Sequence, residues 1–92
     1  MIVGFKDRRL KRFYEKGDRR QLSPELVDRI ETILGRLDTA KEIYDMGIHS
    51  YRLHALAGEL EGFWAVIVRA NWRIIFRFED ENAFDVALID YH

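Results

Sequence analysis

The sequence contains no cysteine, a single proline and no apolar run approaching the roughly 18 residues that a membrane-spanning helix requires. The first absence excludes disulfides, thiolate nucleophiles and cysteine-based zinc sites together, and it accords with a reducing compartment. The third excludes a helical membrane anchor and, with it, a membrane partner. The opening MIVGFKDRRLKR carries its charge after its short apolar stretch, the reverse of a secretory signal, so a cytoplasmic protein is expected. Histidine pairs at metal-binding spacing are missing too: no HxH or HExxH is present, so neither a metal nor another cofactor is expected. The only serines are Ser23 and Ser50, neither in a GxSxG context, which leaves a serine hydrolase without support.

What is present is a composition of 48% hydrophobic and 34% charged residues, that of a folded chain. Its length suits one domain, residues 1–92, burying about 60 to 65% of the surface its unfolded chain exposes. The formal net charge of −1 conceals an asymmetry, since residues 1–20 carry eight Lys and Arg against three acids. Lys6, Arg8, Arg9, Arg12 and Arg19 in this segment are candidates for RNA or ribosome contact, because neutralised phosphates release counterions and drive binding. A helix with a basic solvated face is the alternative reading of the same residues.

Hydrophobic patterning gives the elements. Ile2 to Phe5 reads as an edge strand, and Asp7 as the cap of a helix from Arg8 to Lys16 with Leu10, Phe13 and Tyr14 on one stripe and Gly17 at its end. Ser23, Pro24 and Glu25 open a second helix whose Leu26, Ile30, Ile33, Leu34 and Leu37 are core. A further helical piece is expected from Asp38 to Met46, capped by Asp38 or Thr39 and ended by Gly47. Strands follow: Tyr51 to Leu56, Phe63 to Val68, a run from Trp72 to Phe78, and Phe84 to Tyr91 after the acidic turn at residues 79–82. In the third of these Trp72, Ile74, Phe76 and Phe78 alternate with Arg73, Ile75 and Arg77, so one face is core and the other presents guanidinium groups. Trp64 and Trp72 read as core, with base stacking the sharper alternative. Helices first and strands after give an α+β domain, its N-terminal helices packed on a mostly antiparallel twisted sheet.

The side chains left for chemistry are His54, Arg69, Arg73, Asp90, Tyr91 and His92, with His49 an outlier on a loop. Imidazoles, a carboxylate, a phenol and guanidinia are the equipment for acid and base catalysis on a phosphodiester, where RNA supplies its own nucleophile in the 2′-hydroxyl. A strand histidine is ordinarily a satisfied structural residue, and a strand arginine ordinarily pairs with a neighbouring carboxylate; both readings stand beside the catalytic one. His92 adjoins its own α-carboxylate and is two residues from Asp90, surroundings that favour its protonated form and suit a general acid.

The run LHALAG at residues 53–58, GFWAVIVRANWR at residues 62–73 and the terminal Asp90-Tyr91-His92 resemble the HigB branch of the RelE-like toxins of bacterial toxin-antitoxin modules. The resemblance covers essentially the whole chain. It implies a RelE-like fold and a toxin that cleaves messenger RNA in the ribosomal A site without a metal. It also implies neutralisation by a HigA-type helix-turn-helix antitoxin, through which alone operator DNA would be contacted. Residues matching His54, Arg73, Asp90, Tyr91 and His92 are those the family implicates in cleavage. Ala57 departs from the pattern, since relatives often carry a basic residue there; a contribution to phosphate binding or proton transfer made there would be missing or moved to Arg69. A non-catalytic, ParE-like toxin or binding module on the same scaffold is the competing reading.

Overall fold

The computed structural model describes residues 1–91. Two helices, α1 (Arg8–Lys16) and α2 (Pro24–Thr39), precede four strands, β1 (His54–Ala55), β2 (Trp64–Arg69), β3 (Trp72–Glu79) and β4 (Asn82–Asp90). The strands form one sheet in chain order with every neighbouring pair antiparallel. Ile2 and Phe5 add parallel bridges to Ala83 and Val86 at the β4 edge, so the expected N-terminal edge strand is two isolated bridges. Three single-turn 3₁₀ helices, Ile43–Met46, His49–Tyr51 and Gly58–Leu60, fill the connection between α2 and β2.

Helix α1 begins and ends as its sequence dictates. The Asp7 carboxylate accepts the Arg9 N–H, and Gly17, at φ 67°, closes the last turn with its N–H donated to the Phe13 carbonyl. Helix α2 starts at Pro24 but without the expected side-chain cap, because Ser23 offers only its carbonyl, to the Leu26 N–H. Its stripe of Leu26, Val27, Ile30, Ile33, Leu34 and Leu37 is buried against the sheet with Val66, Val68, Ile74, Phe76, Val86 and Leu88. Each such side chain contributes about 1.5 to 3 kcal/mol of burial, so this interface is the main source of stability. Trp64 and Trp72 pack against that core, as the structural reading of both expected.

Three expectations need correction. Asp38 does not cap a new helix. It stays inside α2, where its Oδ1 accepts both the Ile2 N–H (2.9 Å) and the Tyr14 hydroxyl (2.7 Å), tying the N-terminal segment to both helices. The helical piece after it shrinks to Ile43–Met46, capped by Glu42 and Asp45 in a reciprocal box, because the chain leaves α2 extended at Ala40. The strand expected from Tyr51 to Leu56 is reduced to His54–Ala55, since Tyr51 belongs to a 3₁₀ turn and Arg52 has φ 48°, which no strand accommodates.

The alternation along β3 holds, and it gives the sheet two different faces. Ile74 and Phe76 point into the helix-side core, while Ile75 joins Leu56, Phe63, Ala65 and Ala87 in a second, smaller cluster that contains no residue of α1 or α2. This second face is the open one. A register shift leaves Asp85 as the extra residue of β4, at φ 55°, and a two-residue turn with Asp80 and Glu81 both left-handed joins β3 to β4.

Candidate active site on the open sheet face

Register decides which of the expected site residues share a surface. His54 lies opposite Ala65, Ala65 opposite Ile75, and Ile75 opposite Ala87, one row across the open face. The adjacent row is Ile67, Arg73 and Ile89. His54 and Arg73 are therefore on the same face, two strands and one row apart, a Cα separation of about 12 Å from ordinary strand spacing and rise. Their side chains are long enough to converge on one phosphodiester group lying over the sheet.

The local geometry prepares each for a different task. His54 is exposed, and its Nδ1 lies 2.9 Å from the Arg52 carbonyl oxygen. A carbonyl only accepts, so Nδ1 carries the hydrogen, and in the neutral ring Nε2 holds the lone pair. Arg73 is half-buried, with Nη1 donating to the Ala70 carbonyl (2.6 Å) and the Trp72 carbonyl (3.2 Å) of the β2–β3 turn. Its Nε is buried with no hydrogen-bond partner. An unmet buried donor costs about 1 to 3 kcal/mol.

The chain end is less convergent. Asp90 pairs with Trp72 and by alternation belongs to the helix side, whereas its neighbour Ile89 is on Arg73's side. Tyr91 follows β4, exposed, its N–H donated to the Asn71 carbonyl at 2.8 Å, which ties Tyr91 to the β2–β3 turn just before Arg73. His92 lies outside the described residues. Among the described residues no three His, Cys, Asp or Glu side chains are grouped to hold a metal ion.

Residues 3–92 match the family of HigB-like toxins, described as the RelE-like toxin of the type II toxin-antitoxin system HigB. This chain belongs to that family. It is 44% identical over 92 residues, the full length of both chains, to a Proteus vulgaris protein named Endoribonuclease HigB. It is also 32% identical over 90 residues to Toxin HigB-1 of Vibrio cholerae serotype O1 (strain ATCC 39315 / El Tor Inaba N16961), covering 96% of this chain and 95% of that one. Membership of a type II toxin-antitoxin family implies an antitoxin partner.

In this HigB-like toxin the basic residues expected at an RNA surface divide into two groups. Lys6, Arg8, Arg12 and Arg19 are exposed. Arg9 is instead built into the fold: Nε and Nη2 donate to the Asp7 carboxylate, and Nη2 also donates to the Leu88 carbonyl at 3.0 Å. Asp7 Oδ2 in turn accepts the Leu88 N–H, so the pair occupies both hydrogen-bonding groups of one residue at the β4 edge. Burial pushes the Asp7 carboxyl up, but the Arg9 guanidinium and the Leu88 and Arg9 amides outweigh it and hold it below its ordinary value. Arg69 pairs with Glu25 of α2 at 3.7 Å, which places it toward the helix side and away from Arg73. Ala57, exposed and extended before the 3₁₀ turn Gly58–Leu60, brings no charge to the face.

One feature of the open face escaped the sequence. Lys6, Asp7, Arg8, Arg9, Leu60, Ile75, Ala87 and Ile89 line a groove of about 570 Å³ beside the Arg73 row, apolar in its floor and cationic at its rim.

Proposed function

We propose that this toxin is an endoribonuclease that cuts messenger RNA in the ribosomal A site, without a metal ion, and so arrests translation in the cytoplasm. The observation that carries the reading is that an exposed His54, its Nδ1 on the Arg52 carbonyl, and Arg73 stand in adjacent rows of one uncovered sheet face. The name of the Proteus vulgaris relative supports ribonuclease activity.

In this mechanism His54 Nε2 takes the proton of a ribose 2′-hydroxyl, and the freed oxygen attacks the adjacent phosphorus. Arg73 neutralises the charge that accumulates on the equatorial phosphate oxygens, and the bond to the 5′-oxygen of the next nucleotide breaks. The proton for that oxygen comes from the chain end, where the family resemblance assigns roles to Asp90, Tyr91 and His92. The products are a 2′,3′-cyclic phosphate and a free 5′-hydroxyl, so atoms and charge balance without water. The ribosome supplies the grip on the messenger that one small sheet face does not, with Arg8, Arg12 and Arg19 meeting ribosomal RNA. A HigA-type helix-turn-helix antitoxin is the partner that silences the toxin and carries it to operator DNA.

Inducing the toxin in cells and mapping transcript ends tests the reading. Cuts at in-frame positions of translated messages are expected, with naked RNA left nearly whole. Arrested replication with intact transcripts would overturn it in favour of a ParE-like gyrase poison.

A further inference from the structure

Arg77 takes no part in the chemistry above, yet it is fixed on the same face. Its guanidinium carbon lies 4.3 Å from the centre of the Phe63 ring, and Nε is 3.5 Å from Asp85 Oδ2. Gly62, at φ 94°, leaves the space that a Cβ would otherwise contest with Arg77 Nη1. The Lys6 ammonium approaches the same ring at 5.7 Å. The Arg77 side chain remains 38% exposed, so its plane is set while its charge meets solvent. Two cations around one ring, with the Asp85 carboxylate as counter-charge, leave an excess positive charge in a small area.

Arg77 and Arg73 lie four residues apart on β3, about 13 Å between Cα atoms, with Ile75 between them on the same face. Arg77 is anchored over Phe63 and beside Asp85, and Arg73 on the Ala70 and Trp72 carbonyls, so the two guanidinia are held at separate points of β3, which suits two phosphates of one strand. Beside Ile75 runs the groove floored by Ala87 and Ile89. A nucleobase presents a flat apolar face next to an anionic backbone, which matches an apolar floor with a cationic rim. Resting on the ribonuclease reading, we propose that Arg77 and Lys6 form a second phosphate subsite, and that the groove between them and Arg73 takes the base of a nucleotide flanking the cut.

The test uses ribosomes programmed with synthetic messengers in which each linkage flanking the cut is replaced, one at a time, by a neutral methylphosphonate. Single-turnover cleavage is compared for the wild type, Arg77→Met, which keeps aliphatic cover over Phe63, and Arg77→Lys, which keeps the charge. One linkage other than the cleaved one should slow the wild type about tenfold and leave Arg77→Met no slower than on the unmodified messenger, with Arg77→Lys intermediate. Toxin binding to ribosomes whose messenger lacks the 2′-hydroxyl at the cut gives a readout independent of chemistry. There the slope of log affinity against log salt should fall by about 0.7 in Arg77→Met, the share of one phosphate contact, and likewise in Lys6→Met should Arg77→Met not fold. Equal slowing of wild type and Arg77→Met at every linkage, or an unchanged slope, overturns the subsite; weaker antitoxin binding by the same variant would then assign the patch to a protein partner. A wild type that binds with the expected slope yet does not cut refutes the nuclease reading and leaves the subsite standing.

Discussion

At Arg73 the fold keeps a buried guanidinium nitrogen without a partner while a single Nη1 serves two turn carbonyls. Such a side chain adds little to stability, so Arg73→Ala should leave the unfolding free energy within about 0.5 kcal/mol while lowering single-turnover cleavage about 10²- to 10³-fold. A large fall in melting temperature, with full activity in the folded fraction, would make Arg73 structural instead. At His54 the expected loss is about 10²- to 10⁴-fold in rate for His54→Ala with ribosome affinity preserved, measured on saturated ribosomes. Both residues were nominated in the sequence by residue type, and Arg73 also by strand alternation. Arg9 was misleading for the opposite reason: its partners at Leu88 lie across the fold, so in sequence it was one more cation of a basic helix. The Arg77 stack on Phe63 was invisible because it depends on the β2–β3 register and on space left at Gly62.

Among the elements, α1 is joined to β4 through Asp7 and to α2 through Tyr14 and Asp38. The Asp7 side chain is only 9% exposed and accepts from Arg9 and Leu88, so Asp7→Ala should cost about 1 to 3 kcal/mol in denaturant unfolding. The Tyr14 hydroxyl is raised from about 10 to about 12 by its hydrogen bond to Asp38, by burial and by nearby carboxylates. Asp38 is held below its ordinary value by the Ile2 amide and the Tyr14 hydroxyl. A raised folded value means that the Tyr14 contribution is whole below pH 10 and is lost between about pH 10 and 12. The depressed carboxyls act with the opposite sign: Asp7 and Asp38 contribute above their ordinary value of 3.8, and that contribution is lost as acid takes the pH below it. Denaturant titrations across pH should show both limbs, with the alkaline one absent in Tyr14→Phe. The α2 stripe and the β3 alternation were legible because periodicity is local, whereas the place of Asp38 was not, since its partners are 24 and 36 residues away.

Over the whole molecule, charge is divided between a basic N-terminal segment and an acidic remainder, and the exposed members of the former line up with recognition of a polyanion. Neutralising Arg8, Arg12 and Arg19 together should weaken ribosome binding and flatten its salt dependence while leaving the chemical step on bound complexes unchanged. The fold also places the last strand between the first residues and the rest of the sheet: Val3 donates to Ala83, Lys6 to Val86, and Leu88 to Asp7 across 81 positions of sequence. During synthesis, then, the opening segment has no strand to join until β4 has been made, and loop closure over such a distance is slow. A chain ending at Glu81 should remain unfolded by circular dichroism and open to protease; cooperative folding of that fragment would show that completion of the sheet sets no such delay.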